Sequence, residues 1–162
     1  MYPHALPCQY SCVFFTPLVG SLGGAVLQEP LVLLVEDDPL AREGYAEFLA
    51  GGGFRVAQCG SAEDAYEQSL ELVPDIVVTD ISLPGRDGFS LASDLRIQTR
   101  TQSIPVVAMT AYWAADVHER ADRAGMTAIL MKPCQPDHLI AELHRVLQRA
   151  RPARTGSPRL HS

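Results

Sequence analysis

Four short stretches of this chain carry side chains that could do chemistry together: Glu36-Asp37-Asp38, Asp80, Thr110 and Lys132. Carboxylates gathered at one place repel, and at neutral pH they either share protons or hold a hard cation. Mg2+ is the natural choice, because it takes oxygen ligands, keeps several waters and completes its shell with phosphate oxygens. Lys132 offers a compact positive charge and Thr110 a hydroxyl donor, which suits a trigonal PO3 unit passing from donor to acceptor. A carboxylate is itself a competent nucleophile in phosphoryl transfer, giving an aspartyl-phosphate. Lys132 is also the sole lysine of the chain, all its other basic side chains being arginine. A point charge rather than a planar fork stands where a phosphoryl group would lie.

Taken singly, each stretch has an ordinary structural account. Acids at a helix N-terminus are favoured by the macrodipole, and Asp38 is read that way. Asp80 could end a strand in an Asx turn, Thr110 could be a buried hydroxyl satisfied by backbone, and Lys132 could be a loop charge. The chemical reading therefore depends on elements that bring remote residues to one place.

From Leu31 onward short apolar runs alternate with longer amphipathic segments, the pattern of a βαβα chain. Strands are predicted at 31–35, 54–58, 76–79, 106–109 and 128–131. Most are apolar throughout, which suits central strands of a parallel sheet covered on both faces. Helices are predicted between them. The first follows Pro39, presents Leu40, Tyr45, Phe48 and Leu49 inward, and ends at Gly51-Gly52-Gly53. The second is capped by Ser61, with Ala62, Ala65, Tyr66, Ser69 and Leu70 inward. The third spans 88–98, the fourth 114–124 before Gly125, and the last 136–150. Five strands alternating with five helices fit an α/β, doubly wound, flavodoxin-like (βα)5 fold, a five-stranded parallel sheet with helices on both faces; its order 2-1-3-4-5 is taken by analogy with that fold, since periodicity does not supply it. Every strand but the second runs into one of the polar groups above, and in such a sheet those carboxyl ends share one edge.

Composition sets the remaining bounds. A chain of 162 residues supports one ordinary core, and 47% hydrophobic with 20% charged residues is usual for a globular protein. The net charge of −6 argues against nonspecific nucleic-acid binding. No acid follows Glu142, so Arg145, Arg149, Arg151, Arg154 and Arg159 make a basic end, read as a solvated tail. Cys8, Cys12, Cys59 and Cys134 lack paired zinc-ligand spacing and imply no disulfide framework, which suits a reducing, cytoplasmic setting. Residues 1–29 are read as a poorly ordered extension. Their apolar stretch from Val13 to Leu27 is too short and too broken to span a membrane, and no Lys or Arg precedes Arg42 as a secretory signal would want. The expected division is thus an extension at 1–29, one domain at 30–149 and a basic tail at 150–162. No P-loop pattern is present.

The stretches Leu33-Leu34-Val35-Glu36-Asp37-Asp38-Pro39, Val77-Val78-Thr79-Asp80-Ile81-Ser82-Leu83-Pro84-Gly85-Arg86-Asp87-Gly88, Val106-Val107-Ala108-Met109-Thr110-Ala111 and Met131-Lys132-Pro133 resemble the receiver domains of two-component response regulators. They fall in the family's order and at its intervals, over about residues 30–149. The resemblance implies a stand-alone phosphoacceptor domain rather than an enzyme. Asp80 would receive the phosphoryl group of a histidine kinase or a histidine phosphotransfer protein. Glu36, Asp37, Asp80 and the backbone carbonyl of Ser82 would hold Mg2+, Thr110 would be the switch hydroxyl, and Lys132 would contact the phosphoryl group. Pro133 would follow a cis bond. Phosphorylation would change a protein-binding surface on the fourth helix, fifth strand and fifth helix, a surface also suited to a homodimer. No DNA-binding segment and no membrane segment are expected, and the downstream protein is unassigned.

The sequence departs from the family's pattern at Ile129, where receivers commonly place the Tyr or Phe that turns inward with the switch threonine. Tyr112 and Trp113 are candidates to report phosphorylation instead, although partial core packing is their ordinary account. Ser82 and Cys134 replace a larger polar residue and an aromatic. Two rivals follow. One is a phosphorylation-independent interaction module of receiver type. The other, a phosphatase of haloacid-dehalogenase type, is disfavoured because Asp80 is followed by Ile-Ser, where that mechanism needs an acid two places on.

Overall fold

The computed structural model describes residues 28–112 and 114–150. Cys8, Cys12, the extension up to residue 27, Trp113 and the tail from residue 151 lie outside the described residues. Ten elements alternate along the chain: β1 Leu31–Val35, α1 Pro39–Gly51, β2 Arg55–Cys59, α2 Ala62–Leu72, β3 Ile76–Asp80, α3 Gly88–Ile97, β4 Val106–Thr110, α4 Val117–Ala124, β5 Ala128–Met131 and α5 Pro136–Ala150. The strands form one parallel sheet of order β2-β1-β3-β4-β5, the flavodoxin-like arrangement expected.

Alternation along each strand divides the core in two. Leu33, Val35, Val77, Val106 and Ala108 point to one face, where α2, α3 and α4 cover them through Ala62, Ala65, Leu91, Leu95, Val117 and Ala121. Val32, Leu34, Ile76, Val78, Val107 and Met109 point to the other, under α1 and α5 through Leu49, Leu139, Leu143 and Val146. Because both faces are covered, the central strands β1 and β3 and their neighbour β4 are almost wholly apolar up to their ends, whereas the edge strand β2 exposes Arg55 and Gln58.

The helix boundaries follow local chemistry. Asp38 caps α1 by accepting from the Ala41 N–H at 2.7 Å, with Pro39 in the first turn. Ser61 caps α2 through the Asp64 N–H at 3.1 Å, and Asp87 caps α3 through the Ser90 N–H at 2.8 Å. Gly125, at φ 73°, ends α4 in the left-handed conformation that only glycine adopts freely. Arg96 ties the far end of α3 to its neighbours, donating to the carbonyls of Gln102, Ile104 and Gly125.

Three expectations are corrected. The fourth helix begins at Val117 rather than Ala114, because residues 114–116 form a turn closed by the Val117 N–H on the Ala114 carbonyl. Leu40 and Phe48 do not face inward: they are 80% and 50% exposed, and Ala46 and Leu49 provide the buried side of α1. The helical period cannot tell which of two adjoining apolar stripes meets the sheet. Strand boundaries differ by one residue at β2, β3 and β4, so that Asp80 and Thr110 are the last residues of their strands.

Candidate functional site

The carboxyl ends of β1, β3, β4 and β5 lie along one edge of the sheet, with Val35 beside Thr79, Asp80 beside Met109, and Thr110 beside Met131. β1, β3 and β4 are buried to their ends, whereas β5 ends on the half-exposed Met131, and each of the four brings a polar residue to that edge. Glu36, immediately after β1, is 2% exposed, and Asp80 is buried. Asp37 is exposed.

Lys132 closes the cluster. Its Nζ donates to Asp80 Oδ2 at 2.6 Å and to Glu36 Oε2 at 2.5 Å, so one ammonium bridges two carboxylates that would otherwise repel. Burial pulls its pKa down. The hydrogen bonds to Asp80 and Glu36, with their charges, outweigh that and leave Lys132 above the usual lysine range. The backbone supports the same placement, since the Lys132 N–H donates to the Thr110 carbonyl at 2.8 Å. The Lys132–Pro133 bond is cis, as expected. The Tyr45 ring of α1 stands beside the ammonium, with its centroid 6.0 Å from Nζ. Burial, with the nearby charges of Glu36 and Asp80, raises the Tyr45 phenol despite the opposing effect of Lys132.

One oxygen each from Glu36, Asp37 and Asp80 lie within 4.8 Å of one another. Oxygens on opposite sides of an Mg2+ with ligands at about 2.1 Å stand about 4.2 Å apart. An all-oxygen donor set at this spacing fits that ion with small side-chain adjustments. Asp80 Oδ1 accepts the Ser82 N–H at 2.9 Å while Oδ2 faces Lys132, which fixes the carboxylate plane. On the far side, Gly88 packs against the Asp80 backbone so closely that a Cβ there would stand 2.4 Å from the Asp80 carbonyl oxygen.

Thr110 stands at the same edge and is 1% exposed, but its hydroxyl donates to the Tyr112 carbonyl at 2.9 Å and accepts the Tyr112 N–H at 3.0 Å. It is thus engaged with its own loop. Tyr112 is 68% exposed, and Ile129 packs partly buried against the core under α4.

Sequence reasoning missed three contacts around the site. Arg42 of α1 donates to the Glu36 carbonyl at 2.6 Å. Asp87 accepts from Arg120 of α4 at 3.0 Å, and that guanidinium also lies 4.2 Å above the Phe89 ring. A groove of about 540 Å3 between α3 and α4 runs beside this pair, away from the acidic cluster. Its three arginines are each paired, Arg86 with Asp94, Arg120 with Asp87 and Arg123 with Glu119, so it offers no uncommitted positive charge. Arginines spaced along exposed helices carry no signal of which acid or carbonyl they will meet.

Comparison with known proteins agrees with this architecture. The family model of the response regulator receiver domain matches residues 32–144. The chain is 35% identical over 125 residues to the response regulator Rre1 of Synechocystis sp., covering 76% of this chain and 54% of that protein. It is 35% identical over 121 residues to the transcriptional regulatory protein PdtaR of Mycobacterium tuberculosis, covering 74% of this chain and 58% of that one. A crystal structure of a two-component response regulator of the LuxR family from Aurantimonas sp. SI85-9A1 superposes with a TM-score of 0.69 at 27% identity, covering 74% of this chain and 86% of that one. The chain belongs to the response regulator receiver domain family, a family of signalling domains in two-component systems. It spans about half the length of the curated relatives it matches. Among the described residues no helix is long and apolar enough to cross a membrane.

Proposed function

We propose that residues 30–149 act as a phosphoacceptor domain in which Asp80 takes a phosphoryl group from the phosphoimidazole of a histidine kinase or a histidine phosphotransfer protein. The observation that carries this reading is the bridge of Lys132 between Asp80 and Glu36, beside Asp37. An oxygen of Asp80 attacks phosphorus as the phosphorus–nitrogen bond breaks, and the imidazole leaves with the electron pair. Mg2+, held by Glu36, Asp37, Asp80 and the Ser82 carbonyl, supplies charge neutralisation for the phosphoryl oxygens. Lys132 exchanges a carboxylate partner for a phosphoryl oxygen, and the Ser82 N–H keeps Asp80 oriented.

In this reading the switch runs through Thr110. Its hydroxyl leaves the Tyr112 backbone for the phosphoryl group and draws the β4–α4 loop inward, which alters the surface of α4, β5 and α5 offered to a downstream protein or a second copy. Ile129 supplies no ring to follow that movement, so Tyr112 and Trp113 are the candidate reporters. The setting is cytoplasmic. Incubating the full chain with Mg2+ and acetyl phosphate tests the chemistry: label that persists in Asp80→Asn rejects Asp80, and absence of label with every donor, kinases included, rejects the reading.

A second reading, a phosphorylation-independent interaction module, draws on Ile129 and on the engagement of Thr110 with its own loop. It predicts no Mg2+ affinity that depends on Asp37. Titration of Mg2+ into wild type and Asp37→Asn separates the two.

A further inference from the structure

Glu36 is held through its backbone at both ends. Its N–H donates to the Cys59 carbonyl at 3.2 Å, and its own carbonyl accepts from Nη1 of Arg42 at 2.6 Å. The guanidinium reaches this position over Gly60, where a Cβ would stand 3.1 Å from Nη1 and 3.9 Å from the Glu36 carbonyl oxygen. The β2–α2 turn thus leaves the space that Arg42 occupies. The clamped carbonyl belongs to the peptide that joins Glu36 to Asp37, so rotating that peptide would swing both acidic side chains relative to Asp80.

We propose that Arg42 is a positioning residue of the acidic site, setting through the Glu36 carbonyl the direction in which Glu36 and Asp37 approach a divalent cation. The inference rests on the Mg2+ reading above. Two effects of Arg42 oppose each other, which makes its role decidable by sign. As a nearby cation it repels Mg2+, so removing it would tighten binding. As a clamp it orients two ligands, and loss of an outer partner that orients a metal ligand costs about 10–100-fold in affinity. The repulsion acts at a partly solvated position and is screened, so the clamp dominates.

Calorimetric titration of Mg2+ into the full chain, comparing wild type, Arg42→Lys and Arg42→Met, tests this. Lysine keeps the charge and a donor on a stem of similar reach, whereas methionine keeps only the stem. Arg42→Met should bind Mg2+ about tenfold more weakly than wild type, and Arg42→Lys should fall between them. Without metal, the Glu36 carbonyl 13C and Asp37 amide 15N resonances, which belong to the clamped peptide, should shift in Arg42→Met and shift less in Arg42→Lys. Unchanged or tighter Mg2+ binding by Arg42→Met overturns the proposal and leaves Arg42 as a repelling charge. If wild type itself binds no Mg2+, the functional reading fails, and the clamp is judged by the Glu36 carbonyl and Asp37 amide resonances alone: unchanged shifts in Arg42→Met overturn it.

Discussion

Lys132 and Asp80, which stand 52 positions apart in the chain, meet at 2.6 Å over the carboxyl edge of the sheet, and the same ammonium reaches Glu36. Breaking a buried ion pair by deleting one partner costs about 3–5 kcal/mol, because a charge is left buried and unpaired. Lys132→Met should therefore lose about 3 kcal/mol of stability in EDTA, towards the low end of that range since the pair is not fully enclosed. Mg2+ should restore part of the loss by replacing the missing positive charge. Denaturant titrations with and without Mg2+ provide the check, and an equal deficit under both conditions would refute the rescue.

Gly88 has no room for a side chain, since a Cβ would lie 2.4 Å from the Asp80 carbonyl oxygen and 3.1 Å from the Ile81 Cα. Both obstacles are backbone, so neither can turn aside as a flexible side chain would. Gly88→Ala is expected to cost about 1–3 kcal/mol by overpacking. Because the strain falls on Asp80 itself, Mg2+ affinity should drop as well. A variant that melts early yet binds Mg2+ as wild type does would confine the effect to stability.

Asp87 links the cap of α3 to Arg120 of α4. Burial raises its pKa, but the Ser90 backbone and hydroxyl donors together with Arg120 outweigh that and hold it below the usual carboxylate range. A lowered folded-state pKa contributes stability that is present above the unfolded value and lost as pH falls through the folded one. Asp87→Asn keeps an acceptor for the cap but no charge, so its deficit against wild type should shrink as pH drops below about 4. Asp87→Ala also loses the cap and should cost about 1 kcal/mol more. An Asp87→Asn deficit that stayed constant from pH 7 to about 3 would assign the effect to packing.

Val73 ends α2 at φ 47°, a left-handed conformation that crowds a β-branched side chain. It is 40% exposed, so little packing is lost on trimming it. Val73→Gly should stabilise the fold by about 1 kcal/mol, seen as a higher Tm. A lower Tm would mean that the side chain contributes more by packing than the backbone loses by strain.

The sequence by itself determined which segments become strands, because apolar runs of strand length bounded by caps and glycines depend on covalent neighbours, while the order of those strands came only by analogy with the flavodoxin-like fold. It also determined that Glu36, Asp80, Thr110 and Lys132 stand at strand ends, and parallel order places such ends on one edge. What it could not supply is how side chains turn once the helices have packed. The tertiary structure alone decided that α1 buries Ala46 and Leu49 while exposing Leu40 and Phe48, and that the Thr110 hydroxyl meets the Tyr112 backbone. Arg42 on the Glu36 carbonyl and Arg120 on Asp87, 33 positions away, belong to the same class. An arginine has several partners within reach of its long stem, and only the relative placement of helix and loop selects one of them.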